Sequence, residues 1–194
     1  MVAPSPILGD IKSLHRSGLM KFSALARSVG PATRTAIGAA ADQTDAEVMR
    51  ITVPPNLVGD YDMMKIVIAA CRRAAVASNV GVLYNVGIVA VGGTYAASTK
   101  LYPSDDATTL ASVTTAGQTR YTYQELLMIG LGAGSQETVN AQVPTAVVGP
   151  SATAVKASAL LLSAGFDIVI GGRFAASAPA GDNFTITALA ALPM

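Results

Sequence analysis

The side chains best equipped for chemistry in this chain are scarce and far apart. There is one histidine, His15, and one cysteine, Cys71. A Ser/His/Asp or Cys/His site would have to use His15, because the base must lie within hydrogen-bond reach of its nucleophile. His15 stands in a basic N-terminal stretch, far in sequence from Cys71 and from any acidic cluster, so it reads as one more polar or cationic group. Cys71 reads as a small buried hydrophobe. A zinc site needs more ligands than one Cys and one His. Gly130-Leu131-Gly132-Ala133-Gly134 lacks the full dinucleotide-binding pattern and reads as a turn, and Gly93 to Lys100 ends in Ser-Thr-Lys without P-loop spacing. Asp60 with Asp62, and Asp105 with Asp106, are paired acids. Calcium needs more oxygens than either pair supplies, so both read as solvated loop acids. Asn183-Phe184-Thr185 is a glycosylation triplet, read here as a turn entering a strand. The expectation is no catalytic residue, no metal and no cofactor.

Basic residues carry more information. Residues 1–34 hold Lys12, Arg16, Lys21, Arg27 and Arg34 against Asp10 alone, a local balance of +4. Residues 35–62 reverse it, with Asp42, Asp45, Glu47, Asp60 and Asp62 against Arg50, a balance of −4. A basic arm ahead of a nearly neutral body suits a polyanion, and such binding would weaken with salt. Lys12, Arg16, Lys21, Arg27 and Arg34 are therefore candidate phosphate contacts. Arg72 and Arg73 either add to the same surface or form a solvated loop. No element looks built to read base edges. The competing reading of the arm is an amphipathic helix that packs on its own domain or on a neighbour.

The whole chain has 194 residues, 51% hydrophobic and only 13% charged, with a net charge of +1. An average soluble protein is roughly 25% charged. The shortage suggests that much of the surface meets other protein; the alternative is an Ala-rich monomer with a Thr/Ser surface. Disorder is not expected, because apolar burial can offset chain entropy. No membrane span is expected either: Ala74 to Gly93 is broken by Asn79, Asn85 and several glycines, and Ala157 to Ile170 contains Asp167. Lys12, His15, Arg16 and Lys21 interrupt any signal-peptide core. A single cysteine excludes an internal disulfide and fits a reducing compartment.

The elements that must position these residues are mostly strands. In the arm, Ile7, Ile11, Leu14, Gly18, Phe22 and Leu25 recur at helical spacing, and Gly30-Pro31 stops any helix. Residues 32–43 are small and polar, a linker. Met49, Ile51 and Val53 alternate with polar residues until Pro54-Pro55. Met63 to Ala70, Val82 to Ala90, Leu126 to Leu131 and Val139 to Val148 are further strand candidates. Phe166, Ile168 and Ile170, then Phe184, Ile186 and Ala188, alternate on either side of a turn-rich Ser177 to Asn183, which predicts a hairpin. Thr122 to Met128 fits a short helix with a Thr122/Glu125 capping box, and Ala152 to Ser163 a second; a strand competes at both. Seven or eight short strands with Gly/Pro turns imply a sandwich, barrel or jelly roll.

Two patches bear a family likeness. Phe166-Asp167-Ile168-Val169-Ile170, the turn Ser177-Ala178-Pro179-Ala180-Gly181 and Phe184-Thr185-Ile186-Thr187-Ala188-Leu189 resemble the last two strands of tymovirus coat proteins. Val48-Met49-Arg50-Ile51-Thr52-Val53-Pro54 resembles the first core strand of bromovirus coat proteins. Bromovirus-type arms are arginine-rich and this one is not; the low charge aligns with the tymovirus side, where polyamines neutralise much of the genome. The resemblance implies a mainly β chain, an eight-stranded antiparallel jelly-roll sandwich with one or two short helices. Residues 1–43 would be a partly helical arm and residues 44–194 the shell domain. It implies many identical copies enclosing single-stranded RNA, no membrane partner, and a location in the virion after a passage through host cytoplasm. Two other classes remain at this level. One is a phage head, decoration or tail-tube subunit that binds protein rather than nucleic acid. The other is a ligand-binding barrel or an enzyme using Asp60, Asp62 or Glu125.

Overall fold

The computed structural model describes residues 25–59, 62–75, 80–102, 108–110, 116–130, 137–142, 154–158 and 160–193. Alternation writes most of the strands. In β4 (Met63–Arg73), Met64, Ile66, Ile68 and Ala70 are buried while Lys65, Val67, Ala69 and Cys71 on the other face are only partly so. The same period of two runs through β3 (Ala46–Val53), β8 (Thr119–Gly130) and β12 (Asn183–Pro193). The remaining described strands are β1 (Ala26–Arg27), β2 (Ala32–Thr35), β5 (Val82–Ala90), β6 (Thr99–Tyr102), β7 (Thr108–Leu110), β9 (Glu137–Gln142), β10 (Ala154–Ser158) and β11 (Phe166–Phe174).

They form two antiparallel sheets. The seven-stranded sheet runs β1-β12-β4-β8-β9-β10, with β2 also on β12, and the five-stranded sheet runs β3-β11-β5-β6, with β7 also on β5. β1 and β2 line the same edge of β12, opposite Ala190–Ala191 and Asn183–Ile186, as one strand broken around Gly30-Pro31. β6 and β7 likewise share the edge of β5. Counting each broken strand once, and setting aside the added β9–β10 pair, eight strands remain. The first pairs with the eighth, the second with the seventh, the third with the sixth and the fourth with the fifth. This long hairpin is rolled up so that β12 also pairs β4 and β11 also pairs β5. That winding is an eight-stranded jelly roll.

Three expectations change at this level. Residues 32–43 are not a linker: β2 pairs β12, and Asp42 accepts the N–H groups of Ile37, Gly38 and Ala39 at 2.9–3.1 Å. The roll therefore begins inside the stretch assigned to the arm, and β3 is its second strand. Second, β11 and β12 are both strands but not a hairpin, for they lie in opposite sheets and the turn between them crosses the end of the sandwich. Third, Thr122 to Met128 lies within strand β8, and Ala154–Ser158 is strand β10 where a helix was a candidate. Helical structure among the described residues is limited to short 3-10 turns at Ala40–Gln43, Tyr95–Ala97 and Leu162–Ala164. The arm pattern from Ile7 to Phe22 and the Gly130 to Gly134 turn beyond its first residue lie outside the described residues, as do Asp60, Asp105 and Asp106.

The core fills the space between the sheets. Ile66, Ile68, Leu126, Met128, Phe184, Ile186 and Leu189 from one meet Ile51, Val53, Val86, Ile88, Phe166, Ile168 and Ile170 from the other. Phe174 and Phe184 pack edge to face with centroids 5.8 Å apart. One polar link among the described residues joins the two sheets through this core: Tyr84 donates its hydroxyl to Gln124 Oε1 from the opposite sheet. A second buried pair lies within the seven-stranded sheet, where Arg72 meets Asp182, just ahead of β12, at 3.1 Å, and Asp182 also accepts the Ala75 N–H at 2.7 Å.

Candidate nucleic-acid interface

The two outer faces of the sandwich differ. The five-stranded sheet is roofed by residues 91–98, which fold back across β11. The Gly92 N–H bonds Asp167 at 2.9 Å, and the Tyr95 ring lies directly over Gly171, where any β-carbon would collide with it. Tyr95 donates to Asn85 Oδ1 at 2.6 Å, and the Lys100 ammonium sits 3.2 Å from the Tyr95 ring centroid. Beneath the roof, Asp167 also accepts Arg50 at 2.5 Å and Thr52 at 2.7 Å, and Arg50 holds Glu47 with two bonds of 2.6 and 2.8 Å. Burial alone would raise the Asp167 pKa, but the bonds from Thr52, Gly92 and Arg50 outweigh it and hold the carboxyl below its ordinary value.

The outer face of the seven-stranded sheet has no such roof among the described residues. Register places its side chains in rows across the strands. Thr33, Thr185, Cys71 and Tyr121 make one row, and Ala188, Ala69 and Tyr123 the next. Arg27, Ala190, Val67 and Glu125 follow, then Leu192, Lys65 and Leu127. The floor is small and apolar, and two tyrosines stand on it: Tyr121 is 79% exposed and Tyr123 64%. Lys65 bonds Glu125 at 2.8 Å, and Tyr123 donates to the other Glu125 oxygen at 2.5 Å. The Lys65 bond first, and the Tyr123 bond second, hold the Glu125 carboxyl below its usual range; the same bond raises the Tyr123 hydroxyl.

The expected basic residues divide. Arg27 and Arg73 are exposed, at the edge and the end of this open sheet. Arg34 is half-buried with its guanidinium held by the carbonyls of Gly172, Ala41 and Asp42, so it ties loops together. Arg72 is a correction: it is neither on a loop nor on the surface, but 1% exposed on the inward face of β4 and paired to Asp182. Alternation separates it from its neighbour Arg73, which faces the other way. Lys12, Arg16, Lys21 and His15 lie outside the described residues. Cys71, expected inside, is half-buried on the outward face of β4. Asp62 accepts the Gly59 N–H at 2.8 Å. Among the described residues no group of three His, Cys, Asp or Glu lies close enough to hold a metal ion.

Tyr121, Tyr123 and Lys65 were missed as a set. Their signal lies in the same alternation that buries Gln124, Leu126 and Met128: odd positions of β8 must then face out.

No protein-family model and no curated protein sequence matches the chain. Solved structures give distant likenesses. One is the metal-free carbohydrate recognition domain of Emp46p, with TM-score 0.36, 10% identity, and 86% of this chain and 87% of that one covered. Another is the CBM2 module of the evolved Dit of Lactobacillus casei BL23 phage J-1, with TM-score 0.30, 12% identity and coverages of 74% and 68%. A third is Trypanosoma rangeli sialidase in complex with sialic acid, with TM-score 0.23, 14% identity and coverages of 75% and 25%. At TM-scores this low, none of these likenesses bears on the function of this chain, and the fold rests on strand pairing alone.

Proposed function

We propose that the chain is the coat subunit of a small icosahedral virus, assembling in many copies around single-stranded RNA. Jelly rolls serve viral shells and lectins alike, so the fold does not choose between them. The observation that carries the reading is uncovered apolar groups on a weakly charged body. Where β3 and β5 end and β4 and β11 begin, Met63, Val91 and Leu161 are 41%, 54% and 43% exposed, and Val29 and Ile37, on either side of β2, are 107% and 68% exposed. Uncovered apolar groups on a chain with 13% charged residues suit burial against copies of itself. The basic arm, which precedes Leu25 at the edge of the seven-stranded sheet, suits a polyanion.

The test is the nucleic acid that accompanies the purified chain. Particles should carry RNA that resists nuclease until salt or disruption opens them. Closed particles or tubes free of RNA would instead support a structural subunit that binds only protein.

A further inference from the structure

We propose that the open face of the seven-stranded sheet is a stacking platform for unpaired RNA bases, with Tyr121 and Tyr123 as the stacking groups and Arg73 and Arg27 as the phosphate contacts. The inference rests on the coat-protein reading for its ligand and extends it to an assigned surface.

Tyr121 and Tyr123 are two apart on one strand, so they stand on the same face about 7 Å from each other. Neither is covered: their exposures of 79% and 64% are the largest of any described aromatic side chain. The floor beside them is made of Cys71, Ala69, Ala188 and Thr185, short side chains that leave room for a planar group to lie against a phenol ring. Base–aromatic stacking tolerates any sequence because every base has a π-face.

Charge selects the ligand. The described side chains of this face include three cations, Arg27, Lys65 and Arg73, and one carboxylate, Glu125, which Lys65 already neutralises. Arg73 faces out two residues beyond Cys71, the register partner of Tyr121, so it is the diagonal neighbour of Tyr121, with a backbone spacing of about 7–8 Å that long side chains can span. A strand whose base stacks on Tyr121 thus brings its phosphate toward Arg73. On the opposite outer face, the described charges Arg50, Asp167 and Glu47 are engaged with one another, and Asp167 also accepts the Gly92 N–H of the 91–98 segment.

Three variants of the full chain test this: Tyr121→Ala/Tyr123→Ala, Tyr121→Phe/Tyr123→Phe, and Arg27→Ala/Arg73→Ala. The probes are a labelled single-stranded oligouridylate and a duplex RNA of equal length, followed by anisotropy over a salt series. The Ala pair should weaken single-strand binding tenfold or more with little change in salt slope. The Phe pair, which keeps the rings, should bind as the parent does. The Arg variant should flatten the salt slope. Circular dichroism checks the fold, which exposed tyrosines should not disturb. Unchanged affinity in the Ala pair would overturn the platform, whether or not shells form. If the Ala pair binds RNA normally but fails to assemble, the face is a contact between copies and the proposal is wrong. If the parent never assembles yet loses single-strand binding with the tyrosines, the platform stands and the coat reading falls.

Discussion

At the scale of single residues, the most consequential group is one whose charge is misleading in sequence. Arg72 sits where β4 must point inward, and its burial is tolerable only because Asp182 meets it at 3.1 Å. Asp182→Ala would leave that guanidinium buried without a counter-charge, at a cost of about 3–5 kcal/mol. Urea unfolding should show this loss, whereas a joint replacement of Arg72 and Asp182 by apolar residues of similar volume should recover most of it. A second residue-level expectation concerns acid. Asp42 and Asp167 are both held below the ordinary carboxylate value of 3.8. In Asp42, burial works against this, but bonds from Ile37, Ala39 and Gly38 and the nearby Arg34 prevail. A carboxyl depressed in the fold contributes stability above its unfolded pKa and loses it as pH falls through the folded value. Thermal melts from about pH 5 down to pH 2 should therefore decline, and Asp167→Asn should be less stable at pH 5 but flatter over that range. An equally steep decline in the variant would remove Asp167 from the account.

At the scale of elements, alternation made β3, β4 and β12 legible, because each buries about every second side chain, whereas β5 and β11 are buried at nearly every position and show as apolar runs. It gave faces but not partners. Phe166 to Ile170 and Phe184 to Ala188 look like one hairpin in sequence, yet bridge the two sheets, since a turn long enough to cross the sandwich resembles a hairpin loop. β2 reads Ala-Thr-Arg-Thr and carries no apolar alternation to betray it; backbone pairing to β12 defines it. The Thr122/Glu125 pair mimicked a helix start, but Leu126 and Met128 two apart, with Tyr121 and Tyr123 opposite, fit only a strand. Arg73 was legible as a surface cation and Arg72 was not, because their opposite faces follow from register rather than composition. These pairings predict unequal truncations. Removing residues 2–24 should leave a cooperative fold. Removing 2–36 strips β1, β2 and the Ala36–Asp182 bond of 2.7 Å from the edge of β12. Its melting temperature should drop by roughly 10 °C or more, given about 2–4 °C per kcal/mol in a chain of this size. Equal melts for the two truncations would refute the assignment of β2 as the first strand of the roll.

At the scale of the whole molecule, the proposed assembly rests on uncovered apolar groups and the scarcity of charge. Val91 and Leu161 are loop residues with no described core role, so Val91→Asp with Leu161→Asp should leave the fold intact by circular dichroism. The same pair should block self-association, because a carboxylate buried at a contact without a partner is costly. Association that survives both charges would move the contact elsewhere on the surface. The central claim, that copies of this chain hide one another's surface in a closed shell, is met most directly by sedimentation of the purified full chain with electron microscopy of the fastest species. The account predicts uniform closed particles of many subunits; a single slow boundary of monomer at every salt and pH would contradict it.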